Sequence, residues 1–274
     1  VNPVRLRERA AITRALREWF DHNGYLEVHT PTLVKSPALE ENLEAVSAGG
    51  AYLHTSPEFA MKRVLSSGLC RIYQIVPSYR EEECGIHHSR EFTMLEWYRV
   101  HAGTAELMDD VESLLRAAAG AVDRELPLFS RRSVQSLREA ANLTDTDDEV
   151  EWFRGWVDGV EPLLTAPTIV HSYPAWQAAL SRERRGVADR FEVYIDGVEL
   201  GNCFAEEGDP TTLRHRFSLS SAKRRQMGRE PHPVDEDLLA STPQMPRVAG
   251  MAIGLDRLVM ALTDATDISQ VQVR

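Results

Sequence analysis

Two pairs of strand-like runs, each folding back on itself within a few residues, constrain this chain more than any other feature of its sequence. The first pair, RIYQIVPSYRE and EFTMLEWYR, is separated by a polar stretch of nine residues that contains Gly85. The second, ADRFEVYIDGVELGNCF, turns at Asp196-Gly197. Aspartate-glycine between alternating apolar runs signals a tight hairpin, because both central residues of that turn need positive φ. Strands joined by hairpins pair antiparallel, whereas a parallel sheet needs a long crossover between successive strands. The expectation is therefore an α+β fold, an antiparallel β-sheet flanked by helices, rather than a doubly wound one. Neither G-x-G-x-x-G nor G-x-x-x-x-G-K-[ST] occurs, so a bound nucleotide would be held by arginines and a carboxylate-bound metal.

The helices are read from apolar spacing. Ile12, Leu16, Trp19 and Phe20 share one face of a first helix, and Asn23-Gly24 stops it. YLEVHTPTLV reads as one short strand closed by Pro31. In HTSPEFAMKRVLSSG, Thr55 or Ser56 can cap a helix, Pro57 suits its first turn, and Glu58 lies three residues after Thr55, as in a capping box. Met61, Val64 and Leu65 form its buried stripe and Gly68 ends it. Residues 103–122 form a helix through Leu107, Val111, Leu114 and Leu115, and PTTLRHRFSLSSAKRRQMG forms one with a basic face. Residues 123–165 read as a less regular, mostly helical peripheral segment, acidic at TDTDDEVE. VAGMAIGLDRLVMALT closes the chain as strand, glycine turn and amphipathic helix. No repeat or linker interrupts residues 1–274, which are expected to form a single domain.

Composition narrows the classes of function. A net charge of -11 lacks the basic footprint of a general nucleic-acid binder. No apolar run approaches the roughly 18 residues of a membrane span, and the amphipathic amino terminus has no signal-peptide core. A cytoplasmic protein without membrane association is expected. Cys70, Cys84 and Cys203 are odd in number and far apart, so neither a disulfide framework nor a paired zinc motif is indicated.

The charged residues of the hairpins carry the chemistry. Side chains alternate along a strand, so Arg80 and Glu82 are expected to share a face of the outgoing strand, and Phe92, Met94, Glu96 and Tyr98 a face of the return. Glu82, Cys84, His87 and His88 have metal-ligand chemistry but no closed tetrahedral spacing, and Glu83, His87 and Arg90 are expected to be solvated. Glu96, inside FTMLEWY, is costly to bury without a cation. Either Arg71, Arg80 or Arg99 meets it, or the ammonium of a ligand does. Glu192 and Glu199 flank the Asp196-Gly197 turn, either as ordinary edge carboxylates or as a pair that shares a divalent ion at a phosphate. Asn202 and Glu206 add a polar cluster. Arg257, in the first turn of the last helix, requires either an ion pair with Asp256 or an anion such as phosphate.

In combination these parts resemble the catalytic domain of class II aminoacyl-tRNA synthetases. The helix-strand-proline unit ending at Pro31 resembles motif 1, YRE with the hairpin to EFTMLEWY resembles motif 2, and GLDR at Gly254–Arg257 resembles motif 3. TSPEFAMKR, EFTMLEWYR and ELGNCFAE are similar to the lysine-activating branch, over essentially the whole chain. With no anticodon-binding domain before motif 1, the chain is most similar to the freestanding paralogue, the elongation factor P lysine ligase (GenX/PoxA) family.

The resemblance implies ATP-dependent activation of lysine or (R)-β-lysine as an adenylate, followed by transfer to a lysine side chain of elongation factor P. It implies that Arg80 holds the α-phosphate, Phe92 stacks on adenine and Arg257 meets the γ-phosphate. Glu81, Glu82, His88, Ser89, Leu200 and Gly254 would complete the ATP site, and Glu192 and Glu199 would hold Mg²⁺. Glu58 and Glu96 would meet one substrate amine and Glu206 with Tyr98 the other, with Ser56, Pro57, Gly201 and Asn202 around them. Motif 1 implies a homodimer. The chain departs from the family at Ser89-Arg90, where Asn-Pro is usual, and at Cys203, where glycine is usual. Gly201 stands where the ligases tend to have alanine, and glycine there implies a slightly roomier pocket, leaving α-lysine and (R)-β-lysine both open. The rival readings are a truncated lysyl-tRNA synthetase catalytic domain that charges tRNA and an inactive synthetase-like binding protein.

Overall fold

A computed structural model describes residues 2–146 and 148–273, so Asp147 of the acidic TDTDDEVE run lies outside the described residues. The first helix, α1 (Pro3–His22), is capped by Asn2, whose side chain accepts from the Val4 and Arg5 amides, and it buries Ile12, Leu16 and Phe20. Gly24, at φ +70°, carries the chain out of it. The single strand expected over residues 25–34 is instead two. β1 (Leu26–Glu27) joins the main sheet, and β2 (Leu33–Val34) pairs in a small second sheet with β4 (Ala51–Leu53), which also pairs β3 (Ser47–Ala48). Pro31 cannot donate to a ladder, and the Gln74 carboxamide takes both the Thr30 amide and its hydroxyl, which ends the first ladder before β2.

The second helix, α2 (Glu58–Leu65), starts where expected but without a capping box. Pro57 occupies the cap position, Ser56 Oγ accepts from the Glu58 amide at 3.1 Å, and the Glu58 carboxylate turns forward to Lys62. The first hairpin is β5 (Arg71–Tyr79) with β6 (Glu91–Val100), followed by α3 (Thr104–Gly120). Because β5 ends at Tyr79, Arg80 and Glu82 lie in the connection and do not share a strand face.

Residues 123–165 are less peripheral than their polarity suggests. β7 (Ser130–Ser133) runs parallel to β8 (Thr168–Pro174) at one edge of the main sheet. Helices α4 (Val134–Ala140) and α5 (Glu149–Gly155) follow β7, and α5 continues into a π turn at Trp156–Val160. Trp152 and Trp156, four apart and stacked at 5.3 Å, pack with Tyr173 and Tyr194 in a second apolar cluster.

β9 (Glu183–Arg184) pairs with β10 (Val187–Ile195), and β10 turns into β11 (Val198–Ala205) through Asp196 and Gly197, both at positive φ. Then come α6 (Pro210–Gln226), α7 (Glu236–Ser241), β12 (Val248–Gly254) and α8 (Leu255–Thr263). The basic surface expected on α6 is interrupted by Arg224, which is wholly buried and clasps the Leu43 carbonyl and the Glu44 carboxylate. Among the described residues the main sheet has nine strands, ordered β1-β5-β6-β12-β11-β10-β8-β7 with β9 beside β10. Every central pairing is antiparallel, and the parallel pairs β1–β5 and β7–β8 lie at the edges.

Strand alternation divides this sheet into two chemistries. Leu95 and Trp97 of β6, Met251 and Ile253 of β12, and Phe191 and Val193 of β10 enter one core with α1, α3 and α8. The alternate positions, including Met94, Glu96 and Tyr98, face the other way. Gly250 lets Tyr98 lie flat across β12, because a Cβ there would come within 2.2 Å of its ring. No helix among the described residues is long and apolar enough to cross a membrane.

Candidate active site

A cavity of about 270 Å³ opens over the polar face of the sheet, with Ser56 and Glu58 in one part of its lining and Arg80, Arg257, Glu83 and Glu199 in another. At the carboxylate end, Ser56 and Glu58 line the cavity, while Glu96, Tyr98 and Glu206 are buried beneath it. Glu96 accepts from Ser56 Oγ at 2.7 Å and from Tyr98 Oη at 2.6 Å. None of the three arginines considered for it is its partner. Arg71 donates to the Asn23 carbonyl, Arg99 pairs with Asp110, and Arg80 reaches Glu83. The cation in this cluster is Lys62, whose ammonium lies 2.5 Å from carboxylate oxygens of both Glu58 and Glu206. Burial, then the nearby Glu58, pushes the Glu96 carboxyl up to about 7. Burial likewise pushes Glu206 up to about 8, although Lys62 works against it. The end of the cavity thus holds three acids around one internal base.

At the other end, Arg80 lies over the Phe92 ring, 5.1 Å from its centroid, and both line the cavity with His88 and Ser89. Arg257 does not pair with Asp256, which is buried and bound instead to Arg9 and the Thr93 amide. The Arg257 guanidinium donates to the His87 and Glu199 carbonyls, each at 3.1 Å, and meets His88 Nε2 at 2.5 Å. Burial, then Arg257, lowers the His88 pKa, so the ring is neutral and can accept from the arginine. Gly254, Leu200, Gly201 and Asn202 form the floor.

The two carboxylates of the second hairpin differ. Glu199 lines the cavity, and burial followed by the charge of Glu192 raises it to about 7. Glu192 is absent from the lining and already accepts from Arg190, Tyr173 Oη at 2.6 Å and Tyr194 Oη at 2.7 Å. Of the two, Glu199 is the carboxylate left facing the cavity for a divalent cation. Glu192 fits as the charge behind it, with its oxygens committed to protein donors.

Other expectations are corrected. Glu81 pairs with Arg90, and Glu82 points outward to Arg229 at 2.6 Å, so neither lines the cavity. Glu83 and His87, expected to be solvated, do line it, because the chain turns at Arg80 and brings the loop back over the sheet. Pro57 positions α2 and is not in the lining. No additional room exists beside Gly201, since a Cβ there would sit 1.9 Å from the Ala252 carbonyl oxygen. Sequence reasoning passed over Lys62, Glu40 and Phe204. Only the i,i+4 spacing of Glu58 and Lys62 hinted at the first, Glu40 comes from a loop that gave no signal, and Phe204 lies within β11 beside the polar cluster.

The antiparallel sheet, the motif-2-like hairpin over the cavity and the arginine of the last helix define a class II synthetase-type catalytic domain. The chain belongs to this family, matching tRNA synthetases class II (D, K and N) over residues 3–273. Similar proteins include the elongation factor P–(R)-β-lysine ligase of Pectobacterium atrosepticum, 36% identical over 304 residues, 97% of this chain and 93% of that protein. The ligases of the same name from Yersinia enterocolitica and Photorhabdus laumondii are each 37% identical over 97% of this chain and 93% of their own length.

Proposed function

We propose that this protein is an ATP-dependent ligase that activates lysine or (R)-β-lysine as an aminoacyl-adenylate and transfers it to a lysine side chain of elongation factor P. The observation that carries this reading is the cluster of Glu58, Glu96 and Glu206 around one internal ammonium, at one end of a cavity whose other end presents Arg80 and Arg257. The acids outnumber the one internal ammonium, an excess of negative charge that suits an amino acid bringing ammonium groups. The names of the similar ligases support the same substrate and acceptor.

In the first half-reaction a carboxylate oxygen of the amino acid attacks the α-phosphorus of ATP and pyrophosphate leaves. In-line displacement needs positioning and charge neutralisation rather than a protein nucleophile. Arg80 would stabilise the α-phosphoryl group, Arg257 the γ-phosphate, and Phe92 would stack on adenine with His88, Ser89, Leu200 and Gly254 around the nucleotide. Mg²⁺, held by Glu199 and supported by Glu192, would supply charge neutralisation at the phosphates. In the second half-reaction the acceptor ε-amine attacks the acyl carbon, AMP leaves, and the amine gives up a proton as the amide forms. Cytoplasmic location and a homodimer built on the motif-1-like unit belong to the same reading.

Pyrophosphate exchange with α-lysine and with (R)-β-lysine, followed by mass spectrometry of elongation factor P after incubation with enzyme, ATP and each amino acid, tests the proposal. The expected result is exchange and a mass gain of one lysyl residue on the factor. Exchange with neither amino acid would refute the enzyme, and acylation of tRNA alone would refute the protein acceptor.

A further inference from the structure

Lys62 is 4% exposed and bridges two elements, pairing with Glu58 one turn before it on α2 and with Glu206 just past β11. It does not line the cavity, so it can act on a bound molecule only through its neighbours. Glu58 does line the cavity, and Glu96 lies next to it through Ser56, whose hydroxyl donates to Glu96 and accepts from the Glu58 amide. The titratable groups facing this cluster are Glu58 from α2, Glu96 and Tyr98 from β6, Glu206 just past β11, and Glu40 from the loop after β2.

Three buried carboxyls this close cannot all ionise without a cation among them. A carboxyl that keeps its proton presents a hydroxyl donor and loses most of its attraction for an ammonium group. Burial acts to lower the Lys62 pKa, but Glu206 and Glu58 outweigh it and hold the group charged. Glu58, Glu96 and Glu206 outnumber the one fixed ammonium, and Glu40 adds to the excess, so negative charge is left to be met from outside.

We propose that Lys62 is a positioning residue for amine recognition, a built-in counter-ion that bridges Glu58 and Glu206 and offsets part of the site's negative charge, leaving an excess to be met by the ammonium groups of a diamino acid. This rests on the proposed lysine or β-lysine activation. Wild-type pyrophosphate exchange is therefore measured first, and its absence with both amino acids would take down both proposals.

With exchange established, the test compares Lys62→Met, which removes the charge at similar length, with Lys62→Arg, which keeps it. Folding is checked by circular dichroism. Lys62→Met should raise KM for the amino acid by about thirtyfold or more, because it unpairs a buried charged group. The KM for ATP should stay within about twofold, since Lys62 pairs with Glu58 and Glu206 and not with the arginines proposed to hold the phosphates. The fall of amino-acid KM with rising pH should also move to higher pH by about one unit, as the acids lose their cation. Lys62→Arg should keep the wild-type pH profile. In Lys62→Ala, added ethylammonium should restore exchange in a saturable manner. A folded Lys62→Met enzyme with the wild-type pH profile would overturn the inference. So would Lys62→Arg with a displaced profile, and if Lys62→Met does not fold, that variant decides alone.

Discussion

The two acidic clusters on the polar face of the sheet are built differently. At the amine end, Glu58, Glu96 and Glu206 share one lysine and two neutral hydroxyls, from Ser56 and Tyr98. At the phosphate end, Glu192 is matched by Arg190 and two tyrosines, while Glu199 stands 3.8 Å from Arg257. The first cluster is short of positive charge and is buried. The second alternates carboxylate and guanidinium, as a site for a polyanion with a cation requires. One sheet face can therefore bind the oppositely charged ends of two substrates, because each end leaves a different charge unmet.

The largest effect that should separate the clusters comes from the arginines. Arg80→Ala or Arg257→Ala should lower the rate of pyrophosphate exchange by about 10²–10³, since each removes charge stabilisation at the reacting phosphates. Amino-acid affinity, measured by calorimetry without ATP, should be retained. Loss of that affinity as well would mean the two ends are not independent.

Glu96→Gln should show the converse. Its amino-acid KM should rise about thirtyfold or more, the cost of removing one partner of a buried charge contact. The KM for ATP should change by less than about twofold. An equal rise in both would break the comparison.

A third, smaller effect lies in stability. Glu96 and Glu206 have folded pKa values of about 7 and about 8 against an ordinary 4.5, raised chiefly by burial. A carboxyl that holds its proton more tightly when folded contributes stability below its unfolded pKa and loses it as pH rises through the folded value. The Tm of the ligand-free protein should therefore fall between pH 5 and pH 8.5 by about several degrees, Glu206→Gln should flatten that slope, and lysine should oppose it. A Tm that rises over the same interval would show that these acids are ionised throughout.

The smallest effect belongs to Glu82. Glu82→Gln should leave exchange within about twofold, as a surface ion pair contributes little. A loss above tenfold would return Glu82 to the nucleotide site, where the sequence had put it.

How much was legible varied with the range of the interaction. The α+β class, the Asp196-Gly197 hairpin and the closing strand and helix were readable from local pattern, and pattern and motif also pointed to Arg80, Phe92, Glu199 and Arg257, which line the cavity. Glu82 was put on a strand face because alternation was carried past Tyr79, where β5 ends, and Glu83 and His87, expected to be solvated, line the cavity because facing there is set by loop geometry. β7 was missed because SRRS carries no apolar alternation; its pairing with β8 is supplied by the sheet.

The sequence by itself determined the strand periodicity, the turns and which residue types are present, because those depend on neighbours a few positions apart. Only the tertiary structure decided which charges meet. It gave Asp256 to Arg9, 247 positions away, left Arg257 to the cavity, and set Lys62 rather than an arginine among the acids. Ion pairing in a desolvated site depends on distances of a few ångströms between segments remote in the chain, and no local pattern encodes those distances.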